Sequence, residues 1–81
     1  MRVRVVLFAS YRDLAGASEV LVDLPPDARA QDAVAALRQR SVRAASLPER
    51  PVVAVNEEYV SLDAPLRDGD ELALLPPVAG G

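Results

Sequence analysis

The 81-residue chain contains no cysteine, no histidine and no lysine. Without cysteine there is no disulfide, no thiolate nucleophile, no persulfide and no thiolate metal site. Without histidine the chain lacks the usual general base near neutral pH and the commonest metal ligand. An ordinary catalytic site would have to be assembled from carboxylates, Arg, Tyr and Ser. None of the carboxylates sits in an apolar stretch that would raise its pKa for acid–base work. These absences read as a domain with no active site and no bound metal of its own. No apolar run approaches the length of a membrane span. The basic start Met1-Arg2-Val3-Arg4 feeds an alternating pattern, not a signal-peptide core, so the expected location is the cytoplasm.

What is present describes one soluble globular domain. Half the residues are apolar, charge content is ordinary, and a chain this short has no room for two cores. All nine basic residues are arginine, and the charge is uneven. Residues 1–50 carry eight Arg against six acidic residues, a balance of +2, whereas residues 51–81 carry only Arg67 against six, a balance of −5. The basic patch that nucleic acid requires is missing. The acidic half suggests instead a basic surface on a protein partner.

Residues 2–8 alternate, with Val3, Val5 and Leu7 on one side and Arg2, Arg4, Val6 and Phe8 on the other, as a strand requires. Residues 9–16 break the pattern and end on Gly16, which predicts a loop with at most one helical turn. Glu19–Leu24 reads as a second strand, stopped by Pro25-Pro26 and paired with the first as an antiparallel hairpin. Ala30, Ala33, Val34 and Leu37 recur at helical spacing, predicting one helix near residues 30–40, with Asp27 as its N-cap and Asp32 in its first turn. Val52–Val55 reads as a third strand, Tyr59–Leu62 as a fourth and Glu71–Leu75 as a fifth, the last preceded by the turn Asp68-Gly69-Asp70.

One helix must bury its stripe on one sheet. The economical arrangement is an α+β fold, a β-grasp or ubiquitin-like mixed sheet of about five strands with the first and last strands parallel at its centre. Ala33, Val34 and Leu37 then pack on Val3, Val5, Leu7, Val53, Leu72 and Leu74. Residues 1–75 form this domain, and residues 76–81, Pro76-Pro77-Val78-Ala79-Gly80-Gly81, form an extended tail. The prolines stiffen the exit and the glycines make the end thin. Six extended residues reach roughly 20 Å, enough to thread a channel in a partner. Strand parity puts Phe8 and Leu75 on the sheet face away from the helix, beside the root of the tail, with Tyr59 nearby. An exposed apolar patch there would mark an interface. Arg12 is a candidate either to pair with a partner carboxylate or to tether its own loop.

Phe8-Ala9-Ser10-Tyr11-Arg12-Asp13-Leu14-Ala15-Gly16, Val55-Asn56, Asp68-Gly69-Asp70-Glu71 and the Pro-Pro-x-x-Gly-Gly ending together resemble the small subunit of molybdopterin synthase, a ubiquitin-like sulfur carrier, over the whole chain. Arg29 departs from the pattern, standing where such helices more often carry Ser or Thr as a cap. The resemblance implies a non-catalytic subunit whose C-terminal Gly81 is adenylated and then thiocarboxylated. The thiocarboxylate donates sulfur to cyclic pyranopterin monophosphate, making the dithiolene of the molybdenum cofactor. It implies three partners: the large subunit, in an elongated heterotetramer; a ubiquitin-activating-like adenylyltransferase that uses ATP and Mg²⁺; and a sulfur donor protein. No cofactor is implied for this chain itself, nor nucleic acid or a membrane. Gly81 and Gly80 are the reactive end, and Phe8, Arg12, Tyr59, Leu75, Pro76, Pro77 and Val78 the partner contacts.

Elementary chemistry agrees with that reading. A terminal carboxylate has a pKa of about 3.5 and is a poor electrophile until it is made a mixed anhydride. With no cysteine, Gly81 is where this chain could carry sulfur covalently. Three alternatives stay open: a sulfur carrier for thiazole biosynthesis, a ubiquitin-like modifier conjugated through Gly81, and a pure binding module. Without lysine, a modifier of this sequence is a donor that does not build chains on itself.

Overall fold

The computed structural model describes residues 1–77. Its strands are β1 (Arg2–Leu7), β2 (Glu19–Asp23), β3 (Val52–Val55), β4 (Glu58–Val60) and β5 (Glu71–Leu75); its helices are α1 (Ala9–Ala15) and α2 (Ala30–Arg38). A 3₁₀ turn covers Ala44–Ser46. The strands form one mixed sheet in the order β2-β1-β5-β3-β4. β1 pairs antiparallel with β2 and parallel with β5, and β3 pairs antiparallel with both β5 and β4. This is the β-grasp arrangement, with the first and last strands side by side at the centre.

The alternation in the sequence is carried through to burial. Val3, Val5, Leu7, Val53, Leu72 and Leu74 face α2 and are buried, as are Ala30, Ala33, Val34 and Leu37 on the helix. The small alanines let the helix axis come close to the sheet, and Leu37 and Val34 fill the space between. Val20, Val22, Leu47, Leu66 and Tyr11 close the edges of the same core.

Three local expectations are corrected. Residues 9–15 are a seven-residue helix, not a loop with one turn. The Phe8 carbonyl accepts the amides of Tyr11 (3.0 Å) and Arg12 (3.3 Å), Tyr11 is buried, and Gly16 in the left-handed region ends the helix by donating to the Arg12 carbonyl. Next, α2 begins at Ala30 with Arg29, not Asp27, as its N-cap residue. An arginine side chain has no acceptor to offer the first helical amides. The chain supplies acceptors from elsewhere: Ala30 N–H donates to the Ala64 carbonyl (2.9 Å) and Gln31 N–H to the Leu62 carbonyl (2.7 Å). Asp32 in turn accepts the Arg29 amide at 2.7 Å. Finally, β4 is Glu58–Val60, not Tyr59–Leu62, because residues 61–64 bend away to present those carbonyls to α2.

Candidate protein-docking surface

The face of the sheet turned away from α2 is uncovered. Cross-strand register places Val6 opposite Ala73, Ala73 opposite Ala54, and Ala54 opposite Tyr59, a row running across four strands. In the next row Leu75 stands opposite Val52. Phe8, one residue past the last parallel pair Leu7–Leu74, comes alongside Leu75. The alanines in the middle of this face are small, so the larger side chains at its margin enclose a shallow cavity of about 260 Å³. Phe8, Tyr59 and Leu75 line it, with Ala54 and Ala73 as its floor and Glu57 and Glu71 at its edge. Phe8 is 46% exposed and Tyr59 76%; Leu75 is half-buried. An apolar depression open to solvent at a sheet's centre is unusual for a self-contained domain.

The turns around the depression are firmly held. Asn56 and Glu57 take positive φ, 49° and 73°, in the two-residue turn between β3 and β4. The Asn56 side chain donates to Asp70 at 3.0 Å and accepts the Glu71 amide at 3.1 Å, which pins this turn to the start of β5. Asp68 accepts the Arg2 amide and Asp70 that of Arg67, and Gly69 (φ 86°) donates to the Arg2 carbonyl at 2.8 Å. These contacts fix the start of β5, and the tail leaves from its other end, after Leu75.

The opposite end of the same face is ionic. Arg2 pairs with Asp23 at 2.9 Å, and Arg4 lies between Glu71 (2.6 Å) and Glu19 (3.6 Å). The hydrogen bond from Arg2, reinforced by its charge, holds the Asp23 carboxyl below the usual aspartate range. The Ser61 hydroxyl, donating to Asp63, does the same there. Both carboxylates are exposed, so these are surface effects and not a catalytic arrangement. Among the described residues, no group of three acidic, His or Cys side chains is arranged to hold a metal.

The structure brings Phe8, Leu75 and Tyr59 together and leaves Arg12 apart. Arg12 lies on α1 and lines a different cleft, of about 450 Å³, with Arg43, Asp13 and Ser18. Pro76 is half-buried and Pro77 exposed. Val78, Gly80 and Gly81 lie outside the described residues. Sequence reasoning missed Val52, Ala54, Ala73 and Glu57. The strand parity that found Phe8 and Leu75, extended along β3 and β5, reaches the first three.

A family model, the ThiS family, matches residues 5–81. The chain belongs to the ThiS family. Among curated members, it is 41% identical to the molybdopterin synthase sulfur carrier subunit of Escherichia coli K12, covering 98% of this chain and 99% of that one. The Chlamydomonas reinhardtii protein of the same description is 35% identical over the full length of both. Among solved structures, Haloferax volcanii small archaeal modifier protein 1 matches with a TM-score of 0.85 at 34% identity, covering 95% of this chain and 98% of the other. A chain from the complex of subunits 1 and 2 of the Helicobacter pylori molybdopterin-converting factor matches with a TM-score of 0.69 at 27% identity, over all of both chains. No helix among the described residues of this ThiS-family chain is long and apolar enough to cross a membrane.

Proposed function

We propose that this chain is the sulfur-carrier subunit of a molybdopterin synthase. The observation that carries the reading is the end-to-end match to molybdopterin synthase sulfur carrier subunits. The uncovered apolar depression at the foot of the tail supports it. The chain itself supplies no catalytic group. Its Gly81 carboxylate attacks ATP, held with Mg²⁺ by a ubiquitin-activating-like adenylyltransferase, giving the acyl-adenylate and releasing pyrophosphate. A sulfur donor protein then provides the sulfur that displaces AMP, leaving a thiocarboxylate on Gly81. Phe8, Leu75 and Tyr59 dock on the large subunit, and Pro76, Pro77, Val78 and Gly80 deliver Gly81 into its pocket. There the sulfur passes to cyclic pyranopterin monophosphate, and water attacks the Gly81 acyl carbon to break its bond to sulfur and return Gly81 as a carboxylate. A dithiolene holds two sulfurs, so two loaded carriers are consumed per product, in keeping with a heterotetramer of two carriers and two large subunits. The cytoplasm is where these partners and ATP would meet.

The match to the Haloferax modifier protein favours a second reading, conjugation of Gly81 to lysines of other proteins. Both uses start from the same adenylate, so the fate of Gly81 separates them. Intact mass spectrometry of the protein isolated from its own cells is the test. Exchange of one oxygen for sulfur at Gly81 is the expected result. Recovery of the chain joined to lysines, with no thiocarboxylate present, would overturn the carrier reading.

A further inference from the structure

Three non-glycine residues among those described have positive φ: Ala9 (48°), Asn56 (49°) and Glu57 (73°). Ala9 opens α1, and Asn56 and Glu57 form the tight β3–β4 hairpin turn. That turn needs left-handed residues at both central positions, and asparagine is among the side chains that tolerate them. The second position is ordinarily glycine, so a glutamate there holds a backbone conformation that its Cβ disfavours. The turn would form at least as readily with glycine. The turn alone therefore does not account for the carboxylate.

Glu57 stands at the rim of the apolar depression lined by Phe8, Tyr59 and Leu75. Two carboxylates reach that rim, and their situations differ. Glu71 is held by Arg4 at 2.6 Å, so its charge is answered within the chain. Glu57 is exposed and has no ion pair among the described residues. No cationic side chain lines the depression. The backbone beneath Glu57 is fixed, because Asn56 donates to Asp70 (3.0 Å) and accepts the Glu71 amide (3.1 Å). The depression thus carries one unanswered negative charge at its edge, rooted in a turn that is already ordered.

We propose that Glu57 is a specificity-determining residue of the docking surface: it pairs with a cationic side chain of the large subunit, set beside the apolar side chain that fills the depression. The inference rests on the reading of the depression as the large-subunit docking site. Charges at the polar rim of an interface act chiefly on the encounter, raising kon and rejecting partners of the wrong sign. The balance of −5 over residues 51–81, Arg67 against six acidic residues, draws a basic surface from a distance. Glu57 is the free charge at the depression itself, and it gives that attraction a register.

Three substitutions separate the charge from the turn. Glu57→Gln keeps the shape and the left-handed backbone and removes the charge. Glu57→Lys reverses the charge, and Glu57→Gly removes it while relieving the backbone. Association and dissociation rates with the purified large subunit are measured at low and high salt, with a denaturant melt of each variant and Phe8→Ala as a control. Glu57→Gln is expected to bind about two- to fivefold more weakly at low salt, the worth of an exposed ion pair, with the loss in kon and shrinking as salt is added. Glu57→Lys should bind more weakly still. Glu57→Gly should bind like the Glu57→Gln protein and melt no earlier than the parent. Should Phe8→Ala lose affinity while Glu57→Gln and Glu57→Lys bind like the parent, the partner does not read Glu57 and the inference fails. A loss that salt leaves unchanged, or a Glu57→Gly protein that melts earlier than the parent, also overturns it. If Phe8→Ala itself binds normally, the docking reading of the depression is what fails.

Discussion

Strand β5 is five residues long and serves two opposite surfaces. Leu72 and Leu74 point to the helix side and are fully buried; Ala73 and Leu75, between and after them, face outward beside Phe8 and Tyr59. The inner surface is complete within the chain, because α2 supplies Leu37, Val34 and the alanines that cover it. The outer surface is finished only in part. At the β2–β1 end, Arg2, Arg4, Asp23 and Glu19 pair across the strands and leave a solvated ionic face. Arg4 extends this network to Glu71 on β5 (2.6 Å), but farther along β5 and across β3 and β4 no ion pair forms among the described residues, and the alanine-floored depression remains open. A chain that can dress one end of a face with ion pairs and leaves the other bare has marked the bare end for something else.

The two surfaces should fail differently when cut, and the largest effect lies beyond both, at the tail. Deleting Gly81, or adding one residue after it, displaces the reactive carbon by about 3.5 Å from the folded body. Reacting atoms must approach within about 3–3.5 Å, so dithiolene formation should be abolished. Affinity for the large subunit, measured in parallel, should fall far less. A lengthened protein that still makes the dithiolene without trimming would contradict the carrier mechanism.

On the inner surface, Leu37→Ala should cost about 2–5 kcal/mol of stability in a denaturant melt, as for a fully buried leucine that leaves a cavity. On the outer surface, Phe8→Ala or Leu75→Ala should weaken large-subunit binding by about 1–4 kcal/mol with the melting midpoint nearly unchanged. If Leu75→Ala binds normally but melts early, the outer surface is core and the contrast collapses.

The smallest effect belongs to the ionic end. Arg2 holds the folded Asp23 carboxyl below its unfolded value, so the pair's contribution is present above the unfolded aspartate pKa and is lost as pH falls through the folded one. Asp23→Asn should therefore lower stability slightly at neutral pH and flatten the acid limb, with the two proteins converging as pH falls below about 4. The difference should be slight because both partners are exposed. Melts taken from neutral to acid pH check the sign; a difference that appears only in acid would refute it.

The long-range architecture was legible because it depends on alternation and on one helical stripe. β3 and β5 have the bounds their apolar runs predict, and the parallel β1–β5 pair follows from burying α2 on a single sheet. Phe8 and Leu75 were legible as a pair for the same reason, since parity is a property of strands and survives small errors at their ends. α1 was hidden for a physical reason. It is seven residues long, has no capping side chain, and is entered through a strained Ala9 that no propensity favours. The start of α2 was misread because its acceptors come from Leu62 and Ala64, about thirty positions away, and local sequence carries no trace of them. Arg12 was placed with the docking residues by resemblance, and nothing in its own neighbourhood of the sequence pointed to the cleft it shares with Arg43.

That distant capping of α2 has a consequence for how the chain acquires its structure. The helix's first amides wait for carbonyls that lie in a later part of the chain, after β3 and β4. During synthesis the apolar stripe of α2 is therefore complete well before its N-terminal end can be satisfied. Closing so large a loop costs entropy before it returns any contact. The segment at residues 61–66 and the entry of α2 should consequently form, and come apart, as one cooperative unit, although neither looks like part of the other along the chain.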